Sequence, residues 1–363
     1  MKRHLLSNQK LRLDKKLFLT AFILVFVGIV AVAEASAPQA LNVFNDKFRF
    51  LKDQLLWAAI GIVMLLITSK VSYKFWEKVA TPFFLVNILL LVLVLIPGIG
   101  LRVLGARRWI PLPIFFQPSE IIKFGIVLFM AKMISKKKAS VFYFTPLIMV
   151  AGLVMLEPDL GTTLIIILAV TIQIFASEIN LLQFAGIGIL GSLGVFILTV
   201  LSPYRKDRLL TFLEATRDPL GKSYHIRQVL LALGSGGLFG VGLGGSRQKY
   251  LFLPESSTDS IFAVIAEEIG FVGSFVIILI FAFFIFRAFK IARGAPDKFS
   301  QFLALGITAW IGGQTILNIA SMTALVPLTG IPLPFISYGG SSLIMTMFAT
   351  GILLNISKHA SKK

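Results

Sequence analysis

Residues 260–286 read SIFAVIAEEIGFVGSFVIILIFAFFIF. A polar Thr258-Asp259-Ser260 step opens a run of more than 20 residues that is apolar but for Glu267-Glu268 and Ser274. A helix needs about 20 mostly apolar residues to cross a bilayer core. The stretch is therefore a membrane span with two acids inside it, and acids at membrane depth are costly. Working outward, the same reading gives ten spans: 17–35, 54–69, 79–97, 119–134, 141–157, 162–177, 182–202, 260–286, 301–322 and 341–357. The expected fold is an all-α polytopic membrane protein with ten transmembrane helices and one integral membrane domain over 1–363. Its longest connection is the segment 203–259, between spans seven and eight. The composition agrees: 56% of the 363 residues are hydrophobic and 14% charged, against roughly 25% charged in a soluble domain. Met1–Lys16 is long and basic and the first span lacks a convincing cleavage site, so no cleavable signal is expected.

The net charge of +18 invites a nucleic-acid reading. That would need a water-soluble basic face, and here the charges fall in short clusters between apolar runs, so orientation is read from them first. With the N-terminus cytoplasmic, 20 of the 35 Lys and Arg fall on inner segments, including the tails 1–16 and 358–363 and the run Lys136-Lys137-Lys138. Both termini then lie inside. Most of the other basic residues fall in two outer places, the segment with Arg102, Arg107 and Arg108 and the long loop 203–259. An anionic ligand outside would use them; long loops also cross with their charges regardless of sequence.

Cysteine is absent and histidine is limited to His4, His225 and His359. Disulfides, thiol chemistry, Cys-held metals and multi-His sites are excluded, so acid–base chemistry rests on carboxylates. Four acids stand at outer span ends: Glu120, Glu157, Asp159 and Asp259. Glu120 follows Pro118 in the first turn of a helix, where a dipole role or an ion pair with Lys123 competes with a ligand role. Asp159 follows Pro158, and capping of the next helix accounts for it as well as a ligand role does. The segment 234–245 is glycine-rich, which would let backbone N–H groups approach an oxyanion, though no P-loop lysine closes it. Arg247 and Lys249 follow. Glu267 and Glu268 point to a polar cavity beside their helix.

Several blocks together resemble the SEDS proteins (shape, elongation, division and sporulation), the family that includes FtsW, RodA and SpoVE. They are Gly105-Ala106-Arg107-Arg108-Trp109-Ile110, Gln117-Pro118-Ser119-Glu120, Pro158-Asp159-Leu160-Gly161-Thr162 and Gly234-Ser235-Gly236-Gly237-Leu238-Phe239-Gly240. Leu253-Pro254-Glu255, Thr258-Asp259, Ile261-Phe262-Ala263, Glu267-Glu268 and residues 330–342, GIPLPFISYGGSS, complete the set. Two places depart: Pro111-Leu112-Pro113-Ile114 replaces an expected glycine-containing segment, and Ser257 stands where a histidine is frequent. The stretch from Gly242 to Tyr250 looks more like FtsW or SpoVE than RodA.

The resemblance implies a peptidoglycan glycosyltransferase of the bacterial plasma membrane that polymerises lipid II outside it, in division or elongation. It implies Asp259 as the catalytic residue, with Glu120, Lys123, Asp159, Arg107 and Arg108 at family site positions. Passing from an α-linked diphosphate to a β-1,4 glycan inverts the anomeric carbon, so one general base suffices. Developing diphosphate charge calls for cations: Arg107, Arg108, Lys123, Arg247 and Lys249. A Mg²⁺ or Mn²⁺ ion on Asp259 or Asp159 would serve the same end. The implied partners are a class B penicillin-binding protein and other membrane proteins of the division or elongation machinery. A lipid II flippase and a non-catalytic scaffold are the competing readings.

Overall fold

The computed structural model describes residues 13–103, 106–110, 117–137, 140–177, 186, 223–250 and 252–360. In chain order they form α1 (Lys15–Phe44), α2 (Arg49–Lys70), α3 (Tyr73–Leu95), an antiparallel hairpin of β1 (Leu101–Val103) and β2 (Ala106–Trp109), and α4 (Pro118–Ser135). A 3-10 turn, Ser140–Tyr143, leads into α5 (Phe144–Leu156) and α6 (Leu160–Phe175). Then come α7 (Tyr224–Gly236), α8 (Ile261–Arg293), α9 (Lys298–Met322) and α10 (Gly340–His359). Nine of the ten expected spans coincide with described helices. The seventh, 182–202, lies outside the described residues but for 186, as do all of 1–12, Gly105, 111–116, Lys138, 203–222 and 361–363.

Six helices, α1, α2, α3, α8, α9 and α10, are long and apolar enough to cross a membrane; α5 and α6 are apolar but shorter. The chain is a multi-pass membrane protein. Two helices run well past their expected ends. α1 continues through Glu34, Ser36 and Pro38 to Phe44, because its polar residues find partners: the Ser36 hydroxyl bonds the Val32 carbonyl and Glu34 meets Lys249. α8 extends to Arg293, which with Lys290 stands in its last turn, where cations suit the helix dipole. Within the long loop, α7 is a helix that the apolar-run reading passes over.

Burial divides the bundle into centre and rim. α4 starts with Pro118 at its first position and buries fourteen of its eighteen residues, so it runs through the centre. α9 and α10 are buried along most of their length. By contrast α2, α3 and α8 turn large apolar side chains outward, among them Leu85, Phe271, Phe275 and Phe286. Bulky apolar groups on the rim are what a lipid-facing surface requires. Phe281 and Phe284, on the opposite face of α8, are buried.

The two ends differ in chemistry. At the end that holds Asp14 and Lys358, Asp14 pairs with Arg287, Tyr73 Oη donates to Asp297 Oδ2 at 2.8 Å, and Lys358 Nζ donates to the Ser69 carbonyl at 2.7 Å. The opposite end gathers Gln54, Asp259, Asn318 and Ser337.

Candidate active site

Between α9 and α10 the chain dips back into the bundle. Ile331, Leu333, Phe335 and Ile336 of this connection are all buried, so its backbone groups need partners inside the protein. Asn318 on α9 supplies one: its Nδ2 donates to the Ile331 carbonyl at 2.7 Å and to the Asp259 carbonyl at 2.9 Å. The Ser337 hydroxyl accepts from the Leu333 N–H and donates to the Thr258 carbonyl at 2.6 Å. Tyr338 N–H donates to the Ser257 carbonyl at 2.9 Å. Three successive carbonyls, 257 to 259, are thus held from the inserted loop and α9. Ser260 holds the N-cap position of α8 without a side-chain capping bond, and its hydroxyl lies 2.8 Å from His225 Nε2 of α7. Asp259 is half-buried on this fixed turn.

Glu120 and Lys123 form the ion pair that their spacing predicts, at 2.8 Å, with both side chains buried. Lys123 Nζ also donates to Gln314 Oε1 at 2.9 Å and sits over the Trp310 ring. Gln314 Oε1 accepts in addition from Trp310 Nε1, and its Nε2 donates to the Pro332 carbonyl at 2.9 Å. Gln314 and Asn318 are four residues apart, so they share a face of α9 one turn, about 5.4 Å, from each other. Two adjacent turns of one helix therefore join Lys123 and the Asp259 turn to neighbouring residues, 331 and 332, of the same loop. Glu120 Oε2 is buried without a hydrogen-bond partner.

Arg108, on β2, directs Nε and Nη2 to the carbonyls of Glu157 and Pro158 at 3.1 and 2.6 Å. Arg107 is half-buried beside it. Asp159 caps α6, one carboxylate oxygen accepting from Thr162 N–H and the other from the Thr162 hydroxyl. That turn abuts the inserted loop so closely that a Cβ on Gly161 would lie 2.7 Å from the Thr329 carbonyl. With its oxygens so engaged, Asp159 acts as a helix cap. Among the described residues no three His, Asp or Glu side chains come together to hold a metal ion. An ion held by one carboxylate together with a substrate diphosphate would need fewer protein ligands than that.

Arg247 and Lys249 belong to a separate cluster. Lys249 Nζ bonds Glu268 Oε1 at 2.9 Å and Glu34 Oε2 at 3.3 Å. Burial pushes the Lys249 ammonium down, but the hydrogen bond and charge of Glu268, then those of Glu34, outweigh it and leave its pKa above the ordinary 10.5. Glu267 accepts from the hydroxyls of Ser235 and Ser246 and from the N–H groups of Arg247 and Gln248. The two buried acids thus tie down a loop. The glycine-rich segment packs against the same helix. α8 breaks at Gly270, which has a φ of 71°. Val241 and Gly242 donate to the carbonyls of Glu267 and Glu268, while Phe271 and Val272 donate to those of Gly237 and Leu238. A Cβ on Gly240 would lie 2.1 Å from the Glu268 carbonyl, so glycine is needed for backbone to meet backbone. The N–H groups of Val241 and Gly242 are spent on the helix break. Arg247 itself points to solvent.

Asn318, Gln314 and His225, which hold this region together, lie outside the motif blocks, and Ser337 lies within the block 330–342. Gln314 and Asn318 carry a usable signal, since they are large polar groups at i, i+4 inside the apolar run 301–322.

Comparison with known proteins agrees with this architecture. The family model described as Cell cycle protein, covering FtsW, RodA and SpoVE, matches residues 14–362. Stage V sporulation protein E of Bacillus subtilis is 39% identical over 98% of this chain and 100% of its own. A probable peptidoglycan glycosyltransferase FtsW of Trichlorobacter lovleyi is 43% identical, over 95% of this chain and 93% of its own. Among solved structures, a chain from a peptidoglycan synthase complex superposes with a TM-score of 0.79 at 26% identity, covering 96% of this chain and 98% of its own. The rod shape determining protein RodA of Thermus thermophilus gives 0.71 at 26% identity, covering 97% and 98%. A match running from Asp14 almost to the last residue, on a bundle of the same shape, places this chain in the FtsW/RodA/SpoVE family of cell cycle proteins.

Proposed function

We propose that this protein is a peptidoglycan glycosyltransferase that polymerises lipid II at the outer face of the bacterial plasma membrane, with Asp259 as general base. One observation carries the reading: Gln314 and Asn318 bring the Lys123 pair and the Asp259 turn onto one face of α9 and one inserted loop. A half-buried carboxylate on a fixed turn, joined through one face of α9 to a buried cation, suits transfer from a lipid diphosphate. The 4-hydroxyl of one sugar attacks the anomeric carbon of another while Asp259 takes the hydroxyl proton. The glycosidic bond forms on the face opposite the departing diphosphate, so the α linkage becomes β and no covalent enzyme intermediate arises. Lys123 and the half-buried Arg107 supply positive charge toward the leaving diphosphate.

The name of the Trichlorobacter relative supports the reaction class, and the FtsW-named relatives support a division role. The likeness to a chain of a peptidoglycan synthase complex supports pairing with a class B penicillin-binding protein, which would crosslink the glycan. The arrangement disfavours a flippase, since beyond Lys123 the buried face of α4 runs through Phe124, Ile126, Val127, Leu128 and Met130, all apolar. In the test, the purified full-length protein is given fluorescent lipid II, alone and with such a partner. Glycan ladders from the wild type and none from Asp259→Ala are expected. Equal ladders from both would remove Asp259 from the mechanism.

A further inference from the structure

We infer that Asn318 is a positioning residue for the transfer reaction: its amide fixes the backbone from which the Asp259 carboxylate is presented. The inference rests on the reading of Asp259 as general base. The carbonyls of residues 257–259 precede the first turn of α8, and Asn318, Ser337 and Tyr338 supply their donors. Asn318 is fully buried, with 0% of its side chain's residue surface exposed, and both protons of its amide are used, at 2.9 Å on Asp259 and 2.7 Å on Ile331. Its orientation is fixed by that pairing, because a flipped amide would set Oδ1 against two carbonyl oxygens. Oδ1 is left buried without a partner. Leaving a buried acceptor unpaired costs free energy, so the side chain is kept for its two donors. Serine and threonine offer one donor each, and lysine would bring a charge. An amide is the smallest neutral group that clamps two carbonyls at once. It joins the turn of Asp259 to the inserted loop at the residue next to Pro332, where Gln314 anchors Lys123. Asn318 thereby sets where the base stands relative to the cation, and small displacements of a catalytic group are expensive, with about 1 Å costing on the order of 100-fold.

The experiment measures kcat and KM for lipid II with the full-length protein, counted per folded molecule by thermal melting. Asn318→Asp keeps the shape and replaces both donors with acceptors. It is expected to lower kcat roughly 10- to 100-fold and to leave KM within about twofold, because Asn318 does not touch substrate. Asn318→Ala removes the donors without adding repulsion and gives the same split in kcat should the aspartate variant not fold. Wild-type kcat in folded Asn318→Asp or Asn318→Ala overturns the inference, and so does an equal loss in kcat and KM. Asp259→Asn, run alongside, separates the two readings. If it polymerises normally, the base assignment falls; if it is inactive while the Asn318 variants are fully active, only the positioning role falls.

Discussion

Glu120–Lys123 and Glu268–Lys249 are ion pairs of 2.8 and 2.9 Å, each with both side chains nearly free of solvent. Locally they are the same object, yet their surroundings assign them different work. The first lies within one helix, and its lysine goes on to Gln314, the inserted loop and, one turn away, Asp259. It also keeps one buried carboxylate oxygen, Glu120 Oε2, without a partner. The second crosses three elements, joining the loop before Asp259 to α8 and α1, and the neighbouring Glu267 spends its carboxylate on four donors. A buried pair with a spare oxygen, joined through α9 to the Asp259 turn, is the one proposed to serve the reaction. One that fastens a loop to two helices is a strut.

Breaking the comparison calls for double substitutions, since removing one partner of a buried pair costs about 3–5 kcal/mol while replacing both is often close to neutral. Glu120→Gln with Lys123→Met is expected to restore thermal stability and still lose lipid II polymerisation by roughly 100-fold or more. Glu268→Gln with Lys249→Met is expected to restore stability and keep glycan synthesis within a few-fold. Recovery of synthesis in the first pair, or its loss in a folded second pair, would dissolve the distinction. The next largest effect is on stability: Lys249→Met alone leaves Glu268 buried and uncompensated, and should cost about 3–5 kcal/mol in melting experiments.

The pH dependence sharpens the same contrast. The folded pKa of Lys249 lies above its ordinary 10.5, so its contribution is complete below that pH and is lost as the pH rises through the raised value. The melting temperature of the wild type should therefore fall toward that of Lys249→Met only above about pH 10.5. A convergence near pH 8 would show that the strut does not depend on the charged lysine. The smallest effect belongs to Glu34, whose side chain is 42% exposed. Glu34→Gln should cost no more than about 1 kcal/mol, so a larger loss of melting stability would make α1 a full member of the strut.

Much of the fold is legible in the sequence because span length and Lys/Arg placement act locally. Pro118 opens α4, Asp159 caps α6 and Glu120 meets Lys123, each a relation within four residues. The hidden part is long-range. Nothing near Asn318 says that its amide reaches a carbonyl 59 residues away, and nothing near Lys249 says that Glu268 will claim it. The glycines of 234–245 are ambiguous for a related reason: glycine marks a close backbone approach, and sequence does not tell whether ligand or protein comes close. Here it is the broken helix α8 that does so.

The most direct test of the whole account is the rate of glycan growth by Asp259→Asn at saturating lipid II, measured on the purified full-length protein beside the wild type. The substitution removes the proposed proton acceptor while leaving in place the backbone carbonyls that Asn318, Ser337 and Tyr338 clamp. The account predicts a folded protein that makes no glycan above background. Growth at the wild-type rate would contradict it.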